Sequence, residues 1–435
     1  DKLTLEDGAY DFSAIAMTFA TASSTIDMNA QGSLAKTLTV DAADIANVVT
    51  ITGEATASIV TTLNINGTDD IKGATITNVD VLTFGTASNT NQTLTVDGAD
   101  FTSSNYTTVT GSGDDNLTIG IDIAANLTNT TISGIDAFSF ALSSSDDLTL
   151  DAASISGTVT ITAHLDADLL ITETGDYTNL TTTSGGFDSL VLTDGITVTA
   201  TEKTFDSDGT YNTVVAINST STTDANLIIN MSGTVLSLAA VTIGAVQDVD
   251  TTINGTTGDD IITGADAKAT GSAMTIVTGT GADTVRLEDL SGNASGGVLI
   301  ADAVSVTDFN AGTDQVAFLA ADLTNAPSQT AVAKASGAGD HHAGGFTFIT
   351  DASLNDFTSK SGLASAVGAY ANFATAGDTA AFAIKNSAGT KIGIFDVVEA
   401  GGDADNIDAS NDAITLIAVI DVTSGTFGLS NMGVF

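Results

Sequence analysis

Two short motifs that return in step at long intervals constrain this chain more than any other feature. TLTVDAADI at Thr37 to Ile45 recurs as TLTVDGADF at Thr93 to Phe101 and as DLTLDAASI at Asp147 to Ile155, so Asp41, Asp97 and Asp151 lie 56 and 54 residues apart. NVDVLTF from Asn78 to Phe84, GIDAFSF from Gly134 to Phe140 and GFDSLVL from Gly186 to Leu192 keep a similar step. Inside each copy apolar and polar residues alternate, Leu38 and Val40 against Thr37 and Thr39, Leu94 and Val96 against Thr93 and Thr95. Period two marks a strand with one buried face, and Thr suits the outward face by its β-branch. A long fixed period in an all-β pattern favours stacked coils over a sandwich. The expected fold is an all-β, parallel β-solenoid, β-helix or β-roll-like, of irregular rungs, two or three to each repeat, with a C-terminal β-rich cap containing one short helix.

The composition agrees with a thin-cored stack. Trp is absent and aromatic residues make up 5% of the chain, so each rung buries small aliphatic side chains against its neighbours. Pro327 is the single proline, which leaves the turns to Gly and Asx chemistry. The formal net charge is -43, from 53 acidic and 10 basic residues. That balance argues against nucleic acid and anionic lipid, whose phosphates need Lys and Arg, and makes cations the natural partners. Carboxylates on adjacent rungs, about 4.8 Å apart, repel by roughly 1 kcal/mol in water and roughly 3 to 4 kcal/mol at an effective dielectric near 20. Cysteine is absent, so neither disulfides nor thiolate metal sites are available. The strongest apolar run, Ala413 to Ile420, is far short of the roughly 20 residues of a membrane helix, and no membrane insertion is expected. Asp1 is not an initiator Met and no basic n-region or apolar h-region follows it, so the reading expects an N-terminal part ahead of it, removed or outside this sequence.

Composition divides the chain into an irregular solenoid over 1–253, a second solenoid over 254–320 and a C-terminal region over 321–435. In the last, Leu354, Phe357, Leu363, Val367 and Tyr370 share one face of a helix predicted over Ser353 to Phe373. A hairpin is predicted around Ser387 to Thr390 and a strand from Ala413.

Chemistry concentrates in three copies of a glycine-rich nonapeptide: TGSGDDNLT at Thr110 to Thr118, GTTGDDIIT at Gly255 to Thr263 and TGTGADTVR at Thr278 to Arg286. Each fits the calcium-binding pattern G-G-x-G-x-D-x-U-x, in which glycines allow a tight turn, an Asp faces the ion and an apolar residue enters the core. The candidate Ca2+ ligands and their turn glycines are Gly111, Gly113 and Asp115, then Gly255, Gly258 and Asp260, then Gly279, Gly281 and Asp283. Asp308 and Asp314 in VTDFNAGTDQVAF join them. Leu117, Ile262 and Val285 fill the apolar position. Thr110, Thr256 and Thr278 each replace a glycine of the pattern. Replacing a ligand such as Asp260 or Asp283 by Ala is therefore expected to lower the melting temperature in calcium and to change little in chelator, where the site is empty. Catalysis finds little support: His164 stands alone, His341 and His342 sit in a Gly- and Ala-rich stretch without a third ligand, and no G-x-S-x-G elbow is present.

With these segments in view, the chain resembles the RTX-type calcium-binding proteins exported by type I secretion, and among them the bacterial surface-layer (S-layer) proteins. DFNAGTDQVAF, Asp308 to Phe318, looks like the segment that follows RTX repeats, and the end, closing on Met432, Val434 and Phe435, is similar to the uncleaved C-terminal region of such substrates. The resemblance implies a secreted, non-enzymatic structural protein at the cell surface that folds on meeting external calcium. It also implies partnership with itself in a homo-oligomeric lattice, held to a cell-envelope component through an anchor not identified. A fragment of a secreted RTX adhesin and a carbohydrate-active enzyme on a β-helix stand as the other readings; the absence of Trp and the presence of only five Tyr leave few platforms for sugar stacking.

Overall fold

The computed structural model describes residues 2–17, 24–29, 33–45, 49–56, 58–85, 92–101, 105–112, 115–121, 125–128, 130–135, 137–142, 147–152, 158–162, 167–183, 187–205, 214–220, 225–239, 241–244, 248–265, 267–268, 272–287, 303–318, 332–334, 346–357, 359–367, 379–398 and 413–434. The fold is a parallel β-solenoid of stacked coils with a β-rich C-terminal cap. It separates into two compact units, residues 1–207 with 213–215 and residues 208–212 with 216–435. The compositional boundaries at 253 and 320 both fall inside the second.

In the first unit, alternation sends every second side chain into the coil, where it stacks on its equivalents above and below. Ile26, Ile51 and Ile76 share one register, as do Leu38, Leu63 and Leu82, and Val96, Ile119, Phe140 and Ile161. All are buried, each stabilising the stack by about 1.5 to 3 kcal/mol relative to exposure. The intervening Thr residues face outward and line up across coils, Thr118 Oγ1 lying 3.0 Å from Ser139 Oγ.

The long repeat has a geometric meaning that the sequence does not disclose. Thr93 pairs with Asn116 and Asn116 with Ala137, so a coil takes 23 or 21 residues here, and a step of 54 to 56 residues is about two and a half coils. Each copy of the first motif therefore falls in a different sheet: Lys36–Asp41, Thr93–Asp97 and Leu148–Leu150 belong to three successive ones. The second motif follows into the same three sheets as Val81–Phe84, Ala137–Leu142 and Phe187–Leu192. The structure also exposes a fourth copy of the first motif, TVTATEKTF at Thr197 to Phe205, in which Thr201 replaces the Asp. Its strand, Thr197–Ala200, lies in a fourth sheet.

Helical turns accomplish the change of sheet. Ala42–Ile45, Gly98–Asp100 and Glu202–Thr204 each follow the motif strand, and each is closed by a buried apolar residue, Ile45, Phe101 or Phe205. Asp97 caps the second turn, its Oδ1 accepting from the Ala99 amide at 2.9 Å. This turn packs between Thr75–Thr77, the last strand of one sheet, and Ala125–Asn126, the first strand of another. The fourth copy does the same for the end strand Leu180–Thr183, Thr204 Oγ1 donating to the Leu180 carbonyl at 3.0 Å.

In the second unit, Ala225–Asn230, Val249–Asn254, Met274–Val277 and Val304–Asn310 pair in parallel. Beside them run Val235–Ser237, Ile261–Thr263, Thr284–Leu287 and Gln315–Phe318, closed by Met432–Val434. The cap grows from the same ladder. Val304–Asn310 pairs in parallel with Ala413–Ser424, which continues antiparallel into Lys391–Val398 and Thr379–Lys385 and then parallel into Phe346–Ser353. The predicted hairpin and last strand are thus present. The predicted helix is shorter, Lys360–Val367, starting where Ser359 Oγ accepts from the Gly362 amide at 3.0 Å. Leu354 follows a strand instead, and it meets Leu363, Phe382, Phe395 and Leu416 in the core of the cap; residues 368–373 lie outside the described residues.

Because Phe205 closes a turn at 0% exposure, Phe205→Ala is expected to cost about 3 to 5 kcal/mol, while Thr199→Ala on the outward face stays within about 0.5 kcal/mol. Urea unfolding of the two variants measures the contrast, and equal losses would contradict this role for the turn.

Candidate metal centre

The two closest nonapeptides fold as consecutive corners. Gly255 to Asp260 joins Val249–Asn254 to Ile261–Thr263, and Thr278 to Asp283 joins Met274–Val277 to Thr284–Leu287 one coil on. The turn from Ala311 to Asp314 forms the next corner. Stacking is close enough to demand glycine: Gly279 and Gly281 have φ of 90° and 149°, and a Cβ on either would collide with the carbonyls of Thr256 and Gly258. Gly255 packs likewise against the Thr278 carbonyl.

The corner carboxylates form a ladder. Asp260, Asp283 and Asp314 are each 1% exposed, and the carboxylates of Asp283 and Asp314 each serve the preceding coil. Asp283 Oδ1 accepts from the Asp260 amide at 2.9 Å, and Asp314 Oδ1 accepts from the Asp283 amide at 3.2 Å. Asp260 also holds its own turn, accepting from the Thr256 amide and, at 3.0 Å, from Thr256 Oγ1. Asp314 does the same with the Asn310 amide at 2.8 Å and Thr313 Oγ1 at 2.9 Å. One oxygen is left over: Asp283 Oδ2 is buried without a hydrogen-bond partner. Burial, followed by the charges of Asp314, Asp260 and Asp259, pushes the Asp283 carboxyl up to about 6 against the Asp260 amide that lowers it.

The remaining candidates are placed differently. Asp308 is exposed, with a φ of 60°, and contributes its backbone carbonyl, which accepts from Thr278 Oγ1 at 3.0 Å. Asp115 lies in the first unit and is fully engaged: Oδ1 accepts from the Gln92 amide at 3.0 Å, and Oδ2 from the Ser112 amide and hydroxyl at 2.9 and 2.6 Å. Gly111 packs on the Gly134 carbonyl, whereas Gly113, His164, His341 and His342 lie outside the described residues. Sequence reasoning missed Thr256, Gln92 and Asp259, whose Oδ1 accepts from the Ala282 amide at 2.8 Å. The doublet Asp259-Asp260 was the available signal.

A calcium ion takes six to eight oxygens. Among the described residues no three acidic or histidine side chains converge as a metal-binding group, because the ladder spreads its carboxylates along successive coils. Among the described residues of these corners the geometry therefore offers a hard cation one buried carboxylate oxygen without a hydrogen bond, Asp283 Oδ2, with the charges of Asp259, Asp260 and Asp314 acting on it. No family model, curated protein or solved structure matches the chain. The site is accordingly read from its own atoms.

These hydrogen bonds give Asp260 a part in its turn that needs no calcium. Asp260→Ala leaves the Thr256 amide without its acceptor and is expected to cost about 1 to 3 kcal/mol in chelator, with Asp260→Asn costing less because an acceptor remains. Chemical denaturation in chelator checks this, and an unchanged Asp260→Ala midpoint would contradict it.

Proposed function

We propose that the chain is an extracellular structural protein, a calcium-stabilised β-solenoid that self-assembles into a bacterial surface layer or a similar extracellular homopolymer. The observation that carries this reading is the ladder Asp260, Asp283, Asp314, with a buried carboxylate oxygen that has no partner, in a chain of net charge -43. Such an oxygen takes either a proton or a cation. At neutral pH and millimolar calcium, the range of extracellular calcium modules, the cation wins. Copies of so acidic a chain repel one another, so assembly calls for divalent ions that neutralise or bridge facing carboxylates. Monovalent salt screens the repulsion without coordinating two chains. The Thr-lined outer faces and the parallel coils suit a scaffold, and the resemblance of the C-terminal region to type I secretion substrates gives the route outward.

Calcium at about millimolar concentration is expected to raise the melting temperature and to produce ordered sheets or filaments visible by electron microscopy. Sodium chloride at equal ionic strength is expected to do neither, and chelation should release soluble subunits. Because protons compete for Asp283, calcium should bind more weakly at pH 5 than at pH 7.5. Assembly that proceeds in sodium chloride with chelator would overturn the proposal.

A further inference from the structure

Another buried carboxyl, Asp100, lies where a sheet of the first unit ends, ahead of the first nonapeptide in sequence. Thr75–Thr77 is the edge strand of a four-stranded sheet, so the backbone groups of Ile76 on its open side have no further strand to pair with. Side chains replace that strand. Asp100 Oδ1 accepts from the Ile76 amide at 3.2 Å, and Asn105 Nδ2 donates to the Ile76 carbonyl at 2.6 Å. Asn105 Oδ1 also accepts from the Val79 amide at 3.3 Å. This latch is buried, Asp100 at 6% exposure, Asn105 at 3% and the adjoining Tyr106 at 0%. Two of its polar atoms, Asp100 Oδ2 and Tyr106 Oη, have no hydrogen-bond partner. Tyr106 is held there by an edge-on ring contact with Phe101 at 5.2 Å and by a left-handed backbone, φ 52°.

We propose that Asp100 is a proton-operated latch on this sheet end: protonated, the carboxyl stays buried and keeps the Ile76 amide paired, and ionised it draws water inward and loosens the edge. The charged groups acting on it are few. Asp97, at the cap of the same turn, adds negative charge, Tyr106 is a neutral phenol, and the packed strands Thr75–Thr77, Asn116–Ile121 and Ala125–Asn126 contain no charged residue. No cation thus compensates ionisation from these elements. Burial and Asp97 push the Asp100 carboxyl up to about 7 against the Ile76 amide that lowers it, and burial together with Asp100 raises the Tyr106 phenol well above its ordinary range. A carboxyl that holds its proton more tightly in the fold than in the unfolded chain contributes stability at acid pH. That stability is given up as pH rises from the unfolded value through the folded one. The latch therefore weakens between about pH 4 and pH 7 and changes little above about pH 8.

The test compares the full chain with Asp100→Asn by calorimetry in chelator. The amide keeps an acceptor for Ile76 and carries no charge at any pH, so the variant's melting temperature relative to the unmodified chain should rise by about 5 °C or more between pH 5 and pH 8. Titration of Asp283 is common to both proteins and cancels in the difference. A difference that stays constant over this range overturns the proposal. Should the variant fail to fold, hydrogen exchange at the Ile76 amide of the unmodified chain decides. Protection corrected for base catalysis should fall about tenfold or more between pH 5.5 and pH 8, and constant protection overturns the proposal equally.

Discussion

The structure depends on hydrogen bonds between coils, and above all on what replaces them where no strand continues. Parallel pairing satisfies the backbone along each strand, but corners and sheet ends leave amides and carbonyls that are costly to bury unpaired. Short polar side chains fill these places. Asp283 and Asp314 accept from amides one coil back, Asp115 from Gln92, Asp100 and Asn105 from Ile76 and Val79, and Ser272 Oγ from Val249 at 3.1 Å. A side-chain oxygen standing in for a carbonyl is thus the device that lets a stack of short strands turn, end and begin again.

This use of Asp changes the meaning of the acidity. Part of the negative charge is internal, bound to amides that partly offset the cost of burial. Asp100 and Asp283, each with a buried oxygen that no hydrogen bond reaches, are among the described residues the carboxyls raised farthest. Each amide bond lowers the cost of ionisation, and the missing second partner restores it. In one unit the neighbours of the orphan are further acids, which favours a cation. In the other they are Asp97, a phenol and uncharged strands, which favours a proton.

Much of the fold was legible. Period-two alternation in TLTV marks strands wherever it occurs, and the step shared by two motifs pointed to coils. The fourth copy escaped because Thr201 stands where the other copies have Asp, although the buried Phe205 preserves the pattern. Candidate carboxylates could be named from nonapeptide spacing, but not their partners, which lie 23 or 31 residues away on the adjoining coil. Asp314 was placed in a separate segment because the longer step hid its identity as the next corner. The helix was overextended because Leu354, apolar at helical spacing, belongs to the same core from the end of a strand. Nothing local to Asp100 announces the latch, since Ile76 is brought to it only by the coil below.

The repeat of about two and a half coils is also a screw. Moving from one copy of the motif to the next advances two coils along the axis of the first unit and then about half of the way around the next, into the following sheet. Equivalent outward surfaces consequently follow a spiral instead of a straight column. Duplicating one such segment would lengthen the stack while turning the next copy to a new side. A partner that recognised the motif would find its binding places arranged like the thread of a bolt, with no two consecutive ones on the same side.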